Sequence, residues 1–290
     1  MDIGGTIKKV REGKNISQEE LAKNILSRPH LSLIENNKSD LSISLLLKLV
    51  EKLHIPIDEF FYIATNCSIP ETKSLSLKLM NEANKANLIG LKHIQEYSIK
   101  KYELLGSYEF YHISLLAEIY INFLNNNFTI NDDIKNIANP IKEYLFNLSE
   151  WYLYDLKLFN NVLFIFEISS VETIATKLLD STSKYESYPN VREEYLNILI
   201  NLSTFFIEKE AYQHSLKFAL EGKKKLENEY KIYQNIVLDI NISMANIKLS
   251  IKNKEHIGIL KNRLFLLESF GFSELVKHYT KLFNKYKIHI

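Results

Sequence analysis

Three runs decide the fold of the N-terminal part: Ile16-Ser17-Gln18-Glu19-Glu20-Leu21-Ala22, Leu31-Ser32-Leu33-Ile34-Glu35-Asn36-Asn37-Lys38 and Leu45-Leu46-Leu47-Lys48-Leu49-Val50-Glu51-Lys52-Leu53. Ser17 and Glu20 have the spacing of a capping box, which begins a helix. Ser27 and Ser42 precede the next two runs in the same way, and a serine hydroxyl there caps free amide groups. The runs therefore predict three short, consecutive helices joined by tight turns.

Two more helices are expected around these three, one over Thr6–Gly13 and a short one after Pro56. Residues 1–66 are therefore predicted to form a five-helix domain. Its expected inward residues are Ile7, Val10, Leu21, Ala22, Ile25, Leu31, Ile34, Ile43, Leu46, Leu47, Val50, Leu53, Ile57, Phe60 and Phe61.

The rest of the chain reads as one helix after another. Residues 67–71 are the predicted linker, and residues 72–290 are predicted to hold helix pairs that recur about every 35 to 40 residues, the period of an α-solenoid. The best single repeat is Asn197–Leu226, although an ordinary all-α globule stays open as the alternative. Breaks between helices are expected at Gly106, Asn125–Asn127, Asn139-Pro140, Pro189-Asn190 and Gly271.

Composition excludes several classes of protein. The formal net charge of +1 gives no global positive field, so affinity for nucleic acid must come from a local patch. The single cysteine, Cys67, excludes an intramolecular disulfide and fits a reducing cytosol. No signal core and no uncharged apolar run long enough to span a bilayer is found, so we expect a soluble, cytoplasmic protein with no membrane partner.

No catalytic or metal-binding constellation is found in the sequence. There is no GxGxxG, Walker or HExxH motif, and none of the eight histidines stands at metal-ligand spacing from Cys67. We therefore expect neither an enzyme, nor a cofactor, nor a metal site.

The five-helix pattern resembles the phage-repressor (XRE, Cro/C1) helix-turn-helix family. Ser17-Gln18, Leu21-Ala22 and Leu31-Ser32 with Ile34-Glu35 carry the resemblance. It implies that the second and third helices bind double-stranded DNA, the third in the major groove, and that Arg11 and Glu35 form a structural ion pair. The DNA-binding candidates that it implies are Ser17, Gln18, Ser27, Arg28, His30, Ser32, Leu33, Asn36, Lys38 and Ser39.

Among these candidates, Arg28 is the best match to a guanine edge, because its forked guanidinium fits O6 and N7. Pro29 and Leu33 are apolar where this family usually has polar residues. They either pack on a thymine methyl group or leave more of the recognition to DNA shape. One such domain makes few contacts, so a dimer on a two-fold site is expected.

The two halves together resemble the Rgg/GadR/MutR pheromone-responsive regulators of low-GC Gram-positive bacteria, within the class that includes PlcR and PrgX. The run Ile7-Lys8-Lys9-Val10-Arg11 and the pattern Trp151-x-x-Tyr154-Asp155-Leu156-x-Leu158-Phe159 carry this resemblance. It implies a homodimeric, sequence-specific transcriptional regulator that is controlled by a short hydrophobic signalling peptide, as in quorum sensing.

The peptide-binding residues are less sharply indicated. A spacing of 40 residues, about one helix pair, separates Asn161, Asn201 and Asn241. Either this spacing stacks the three side chains along one groove, where they can bind a peptide backbone, or it is a coincidence in an asparagine-rich chain. The alternative function keeps the DNA-binding domain but uses the repeats as a protein-docking scaffold without a peptide effector. The candidates for peptide binding are Asn160, Asn161, Arg192, Asn197, Asn201, Asn235 and Asn241.

Overall fold

The structure is a computed structural model that describes residues 1–182, 188–226, 231–251 and 253–289. Every regular element in these residues is a helix, which confirms the all-α prediction. The chain divides into two compact units, Met1–Lys85 and Ala86–Ile290. None of the described helices combines the length and apolar character that a membrane crossing needs.

The N-terminal unit contains the five expected helices and a sixth. Serine hydroxyls cap three of them at the predicted positions, Ser17, Ser27 and Ser42. The first helix begins earlier than predicted because the Asp2 carboxylate accepts a 2.8 Å hydrogen bond from the Gly5 amide and caps it there. The helices are α1 (Ile3–Gly13), α2 (Gln18–Ala22), α3 (Arg28–Glu35), α4 (Ile43–Lys52), α5 (Ile57–Ala64) and α6 (Glu71–Asn84).

The core of this unit is formed by one face of each of the helices α1–α5. On α4 the buried stripe is Leu46, Leu49, Val50 and Leu53, which have helical spacing. Four residues expected to point inward lie outside it, because α4 and α5 carry apolar side chains on two faces and only one meets the core. The four, with their exposed fractions, are Ile43 (78%), Leu47 (49%), Ile57 (37%) and Phe61 (39%).

Gly4 lets α1 and α3 approach closely. A Cβ at position 4 would lie 2.0 Å from the carbonyl oxygen of Ile34. Asn37, just past α3, accepts a 3.2 Å hydrogen bond from the Gly4 amide and donates one of 2.8 Å to Asp2. The start of α1 is therefore fastened to the end of α3.

The predicted linker, residues 67–71, lies within the N-terminal compact unit, since α6 groups with α1–α5 rather than with the later helices. The functional boundaries at residues 66 and 72 stay a prediction.

In its described residues the C-terminal unit consists of helices and one short 3₁₀ turn, Leu163–Ile165. The sequence predicts a helix over residues 171–187, and residues 183–187 of that segment fall outside the described residues. The helices are α7 (Leu88–Leu105), α8 (Tyr108–Asn125), α9 (Asp132–Asn147), α10 (Leu153–Val162), α11 (Ile168–Thr182), α12 (Pro189–Glu208), α13 (Tyr212–Lys225), α14 (Ile232–Lys248), α15 (Asn253–Ser269) and α16 (Ser273–Lys285).

The predicted break at Asn139-Pro140 is wrong, because α9 runs through Pro140. A proline inside a helix removes one backbone hydrogen bond. Here Ala138, Ile141 and Leu145 are all buried around it, so packing holds the helix together.

These helices form the expected array of pairs. Most consecutive helices pack together, and α8, α10, α12 and α14 also pack side by side. Hydrogen bonds join His112 to Tyr154 and, further along both helices, Tyr120 to Asn161, so α8 and α10 run in the same direction. We call α8, α10, α12 and α14 the parallel row. It brings side chains from successive repeats to neighbouring positions.

Candidate nucleic-acid interface and effector surface

Helices α2 and α3 form the helix-turn-helix. The Ser17 hydroxyl accepts a 3.1 Å hydrogen bond from the Glu20 amide, and the Ser27 hydroxyl accepts one of 3.4 Å from the His30 amide. Between them the backbone turns through Asn24, whose φ of 66° lies in the left-handed region that asparagine tolerates. Both serines proposed for DNA contact thus also fix the helix starts.

A buried ion pair orients α3. The Nε and Nη2 atoms of Arg11 donate hydrogen bonds of 2.6 and 3.0 Å to the two carboxylate oxygens of Glu35. Arg11 is 7% exposed and Glu35 is 3% exposed. The hydrogen bond to Glu35 raises the pKa of Arg11. The side chains expected to pair do lie together, and they tie α1 to the end of α3.

Two more groups extend this network. The Arg11 Nη1 atom donates a 2.9 Å hydrogen bond to the carbonyl of Ile16, and the Gln18 side-chain amide donates one of 2.8 Å to Glu35. Gln18 is one of the DNA-binding candidates, and its bond to Glu35 also holds the start of α2 against α3.

The outward side of α3 is its reading face, which consists of Arg28, Pro29, Ser32, Leu33 and Asn36. Arg28, Pro29, Leu33 and Asn36 are exposed and Ser32 is half-buried. Within the described part of the chain, no hydrogen bond or ion pair is found for the Arg28 guanidinium. The Asn36 side-chain amide donates a 2.7 Å hydrogen bond to the Ser32 carbonyl.

The turn after α3 fixes the position of Lys38. Asn37 adopts a φ of 54°, its amide donates to the Ile34 carbonyl at 2.9 Å, and the Lys38 amide donates to the Leu33 carbonyl at 2.8 Å. These two bonds make a Schellman motif. Lys38 is exposed, whereas His30 and Ser39 are half-buried and share a 3.3 Å hydrogen bond.

The parallel row joins three of its polar side chains into what we call the polar strip: Glu194, Asn160 and Asn201. The Asn160 amide donates a 3.2 Å hydrogen bond to Glu194, and the Asn201 amide donates one of 2.8 Å to the Asn160 oxygen. Asn201 is exposed, and Asn160 is half-buried. Burial raises the pKa of Glu194, although Lys157 and Asn160 oppose this.

The other peptide candidates have different surroundings. Asn161 accepts a 3.4 Å hydrogen bond from Tyr120 through its backbone carbonyl, and Asn197 is half-buried on α12. Asn235 accepts a 2.5 Å hydrogen bond from Lys223. The Arg192 Nη2 atom donates to the carbonyl of Lys225 at 3.5 Å.

Asn241 is 1% exposed, and its side-chain amide donates to Ser203 at 2.7 Å and to Thr204 at 3.0 Å. These bonds hold α14 to α12. The spacing of 40 residues therefore places Asn161, Asn201 and Asn241 on neighbouring helices of the parallel row, but Asn201 is exposed and Asn241 lies between helices.

Sequence reasoning missed a buried polar cluster between α8, α9 and α10. His112 is 2% exposed and shares a 2.6 Å hydrogen bond with Tyr154, while the Tyr144 hydroxyl donates one of 2.7 Å to Asp155. Burial lowers the pKa of His112 to about 4, and Asp155 only partly opposes this. His112 was one scattered histidine in the sequence, and only the fold gives it these neighbours.

Comparison with known families decides the assignment. Residues 91–281 match the family described as "HTH-type transcriptional regulator Rgg, C-terminal domain", and residues 7–60 match a helix-turn-helix family. The chain belongs to the Rgg family of helix-turn-helix transcriptional regulators. This confirms the resemblance drawn from its sequence.

Solved structures show that the whole chain has the Rgg-type fold. A chain from Listeria monocytogenes EGD-e, described as a transcriptional regulator, is 20% identical with a TM-score of 0.83, and the match covers 99% of both chains. The SHP pheromone receptor Rgg2 of Streptococcus dysgalactiae is 19% identical with a TM-score of 0.74, over 98% of this chain and 99% of that one. PrgX in its complex with cCF10 is 18% identical with a TM-score of 0.70, over 98% and 99%.

Proposed function

We propose that this Rgg-family regulator binds a two-fold operator as a homodimer, and that a short hydrophobic peptide bound to its C-terminal unit controls this binding. The observation that carries the proposal is the reading face of α3. It presents Arg28 outward from a helix that the buried Arg11–Glu35 pair holds in place. An arginine in that position matches bidentate recognition of guanine in the major groove.

The proposed peptide site is the surface of the parallel row around the polar strip. The Asn201 side chain is exposed, and its carbonyl oxygen suits the N–H groups of an extended peptide. Asn161 and Asn197 lie on the same two helices and extend the candidate surface. We assign Asn241 to the packing between helices instead, because a peptide contact would break its bonds to Ser203 and Thr204.

Two solved structures of the same fold support peptide control. One is described as an SHP pheromone receptor, and the other is a PrgX/cCF10 complex. The proposed mechanism is a population shift, in which the peptide binds one arrangement of the array more tightly and so favours it.

The DNA half is tested with the full-length chain and a duplex enriched from a random pool. Arg28→Ala is expected to weaken binding by about 1–3 kcal/mol, the range for a bidentate contact with a base. Lys78→Ala removes an exposed charge from α6 and is the matched control. Unchanged affinity of Arg28→Ala would remove Arg28 from base recognition.

The peptide half is tested by calorimetric titration of the full chain with short apolar synthetic peptides encoded beside its gene. Asn201→Ala and Asn160→Ala are expected to weaken binding, while Asn139→Ala, an exposed asparagine of α9, leaves it unchanged. Equal effects of all three substitutions would place the peptide elsewhere.

A second candidate function, protein docking without a peptide, has one observation in its favour. Exposed aromatic rings lie close together where the start of α14 meets the α15–α16 turn. The ring centroids of Tyr233 and Phe272 are 5.7 Å apart, and Phe270 is 53% exposed. Apolar surface of this kind suits a protein partner. Failure of every peptide to bind, together with a stable complex with another protein at this surface, would favour docking.

A further inference from the structure

The reading face of α3 contains an apolar patch. Leu33 is 46% exposed and Pro29, one helical turn before it, is also exposed. The core takes Leu31 and Ile34 from the same helix, with exposed fractions of 0% and 2%. Leu33 therefore faces away from the core, although its burial there would be favourable.

Polar residues surround the apolar patch of Pro29 and Leu33 on the same face of α3. Arg28 is exposed at the start of the helix, and Asn36 is exposed one turn after Ser32, to whose carbonyl its side-chain amide donates a hydrogen bond. The Schellman turn holds Lys38 just beyond the helix. Leu33 shares the exposed side of α3 with these polar groups, so it would lie near the base edges when they line the major groove.

One base offers an apolar partner in the major groove, since only thymine carries a C5-methyl group there. We propose that Leu33, with the Pro29 ring beside it, contacts a thymine methyl group and so selects thymine at one operator position. The inference rests on the DNA-binding function proposed above and names the base chemistry that the apolar part of the reading face recognises.

The test uses the full-length chain and the duplex that it enriches from a random pool. Each thymine is replaced in turn by uracil, which removes the methyl group and keeps the base pairing. At one position uracil should weaken binding by the wild-type chain about fourfold, which corresponds to burial of one carbon group at ~0.8 kcal/mol.

Two substitutions locate the contact. Leu33→Ala should bind the thymine and uracil duplexes equally, and so should Leu33→Gln, whose amide cannot use the methyl group. Leu47→Ala is the matched control, because Leu47 is 49% exposed on α4 and lies outside the reading face. It should keep the full uracil effect.

The outcomes separate this inference from the proposed function. Enrichment of a duplex with no uracil effect at any position, or with the same uracil effect in Leu33→Ala, overturns the Leu33 contact and leaves DNA binding intact. Failure to enrich any sequence overturns the DNA-binding function itself, and the Leu33 contact with it.

Discussion

When Glu35 is replaced by glutamine, the helix-turn-helix should unfold far more easily, while the stability of the C-terminal unit should stay the same. Three N–H groups point at the Glu35 carboxylate, two from Arg11 and one from Gln18. A glutamine amide has the same shape but only one oxygen, so at least one N–H would face another N–H. The Arg11 charge would keep only the exposed Glu12 carboxylate, 3.3 Å away, as an ion-pair partner in a site where the Arg11 side chain is 9% exposed.

The expected loss of unfolding free energy is about 3 kcal/mol, the lower end of the range for breaking a buried ion pair, because Glu12 still compensates part of the Arg11 charge. Domains of this size are stable by about 5–15 kcal/mol, so the loss is a large fraction of the total. Removal of both charges, Arg11→Met with Glu35→Leu, should cost much less because no charge then stays buried alone.

Amide hydrogen exchange measured by mass spectrometry on peptides from α1–α3 reports the free energy of opening this unit. The only tryptophan, Trp151, lies in the C-terminal unit, so its fluorescence in urea follows that unit separately. A decrease of less than about 1 kcal/mol in the opening free energy of α3 would refute the argument that the Arg11–Glu35 pair holds this helix in place. An equal shift of the Trp151 transition would refute the independence of the units.

Three further predictions concern stability. Burial lowers the pKa of His112 in the folded state to about 4 from its ordinary 6.5, so the contribution of neutral His112 to the free energy of unfolding is complete above pH 6.5 and is lost as the pH falls toward 4. Urea unfolding followed by Trp151 fluorescence should therefore show about 2 kcal/mol less stability at pH 5 than at pH 7. The variant His112→Gln should not show this pH dependence. Gly4→Ala should destabilise the N-terminal unit by about 1–3 kcal/mol through its clash with the Ile34 carbonyl, whereas Gly13→Ala, with nothing within 4 Å, should leave hydrogen exchange there unchanged or slower. Asn241→Ala should lower the stability of the C-terminal unit by about 1–3 kcal/mol because it removes the bonds to Ser203 and Thr204, and a loss no larger than that of the exposed Asn139→Ala would contradict this.

Local signals in the sequence predicted most of the helix starts. Ser17, Ser27 and Ser42 cap their helices as expected, because an N-cap depends on a few neighbouring residues. The apolar pattern of α4 was less decisive. Ile43 and Leu47 share a face that the pattern alone cannot distinguish from the buried one, and only tertiary packing leaves them exposed.

The candidate site was predictable to a smaller extent. The family pattern led to Arg11 and Glu35, whose geometry the structure supplies. The period of 40 residues led to the helices that carry Asn201 and Asn241, but the rotation of each helix about its axis decides which side chain is exposed. Glu194 gave no signal, because its partner Asn160 is distant in sequence and meets it only when α10 packs on α12.

The parallel row also has a mechanical property. Its four helices meet at three successive junctions, α8–α10, α10–α12 and α12–α14. In such an array small rotations add, so about 2° at each junction turns the first helix by about 6° against the last. Helix α8 has 18 residues and is therefore about 27 Å long, so its tip would move by about 3 Å. A ligand that bridges only α10 and α12 changes one of these three angles directly, so the end of the row moves by the full distance of about 3 Å only when the other two junctions rotate in the same direction.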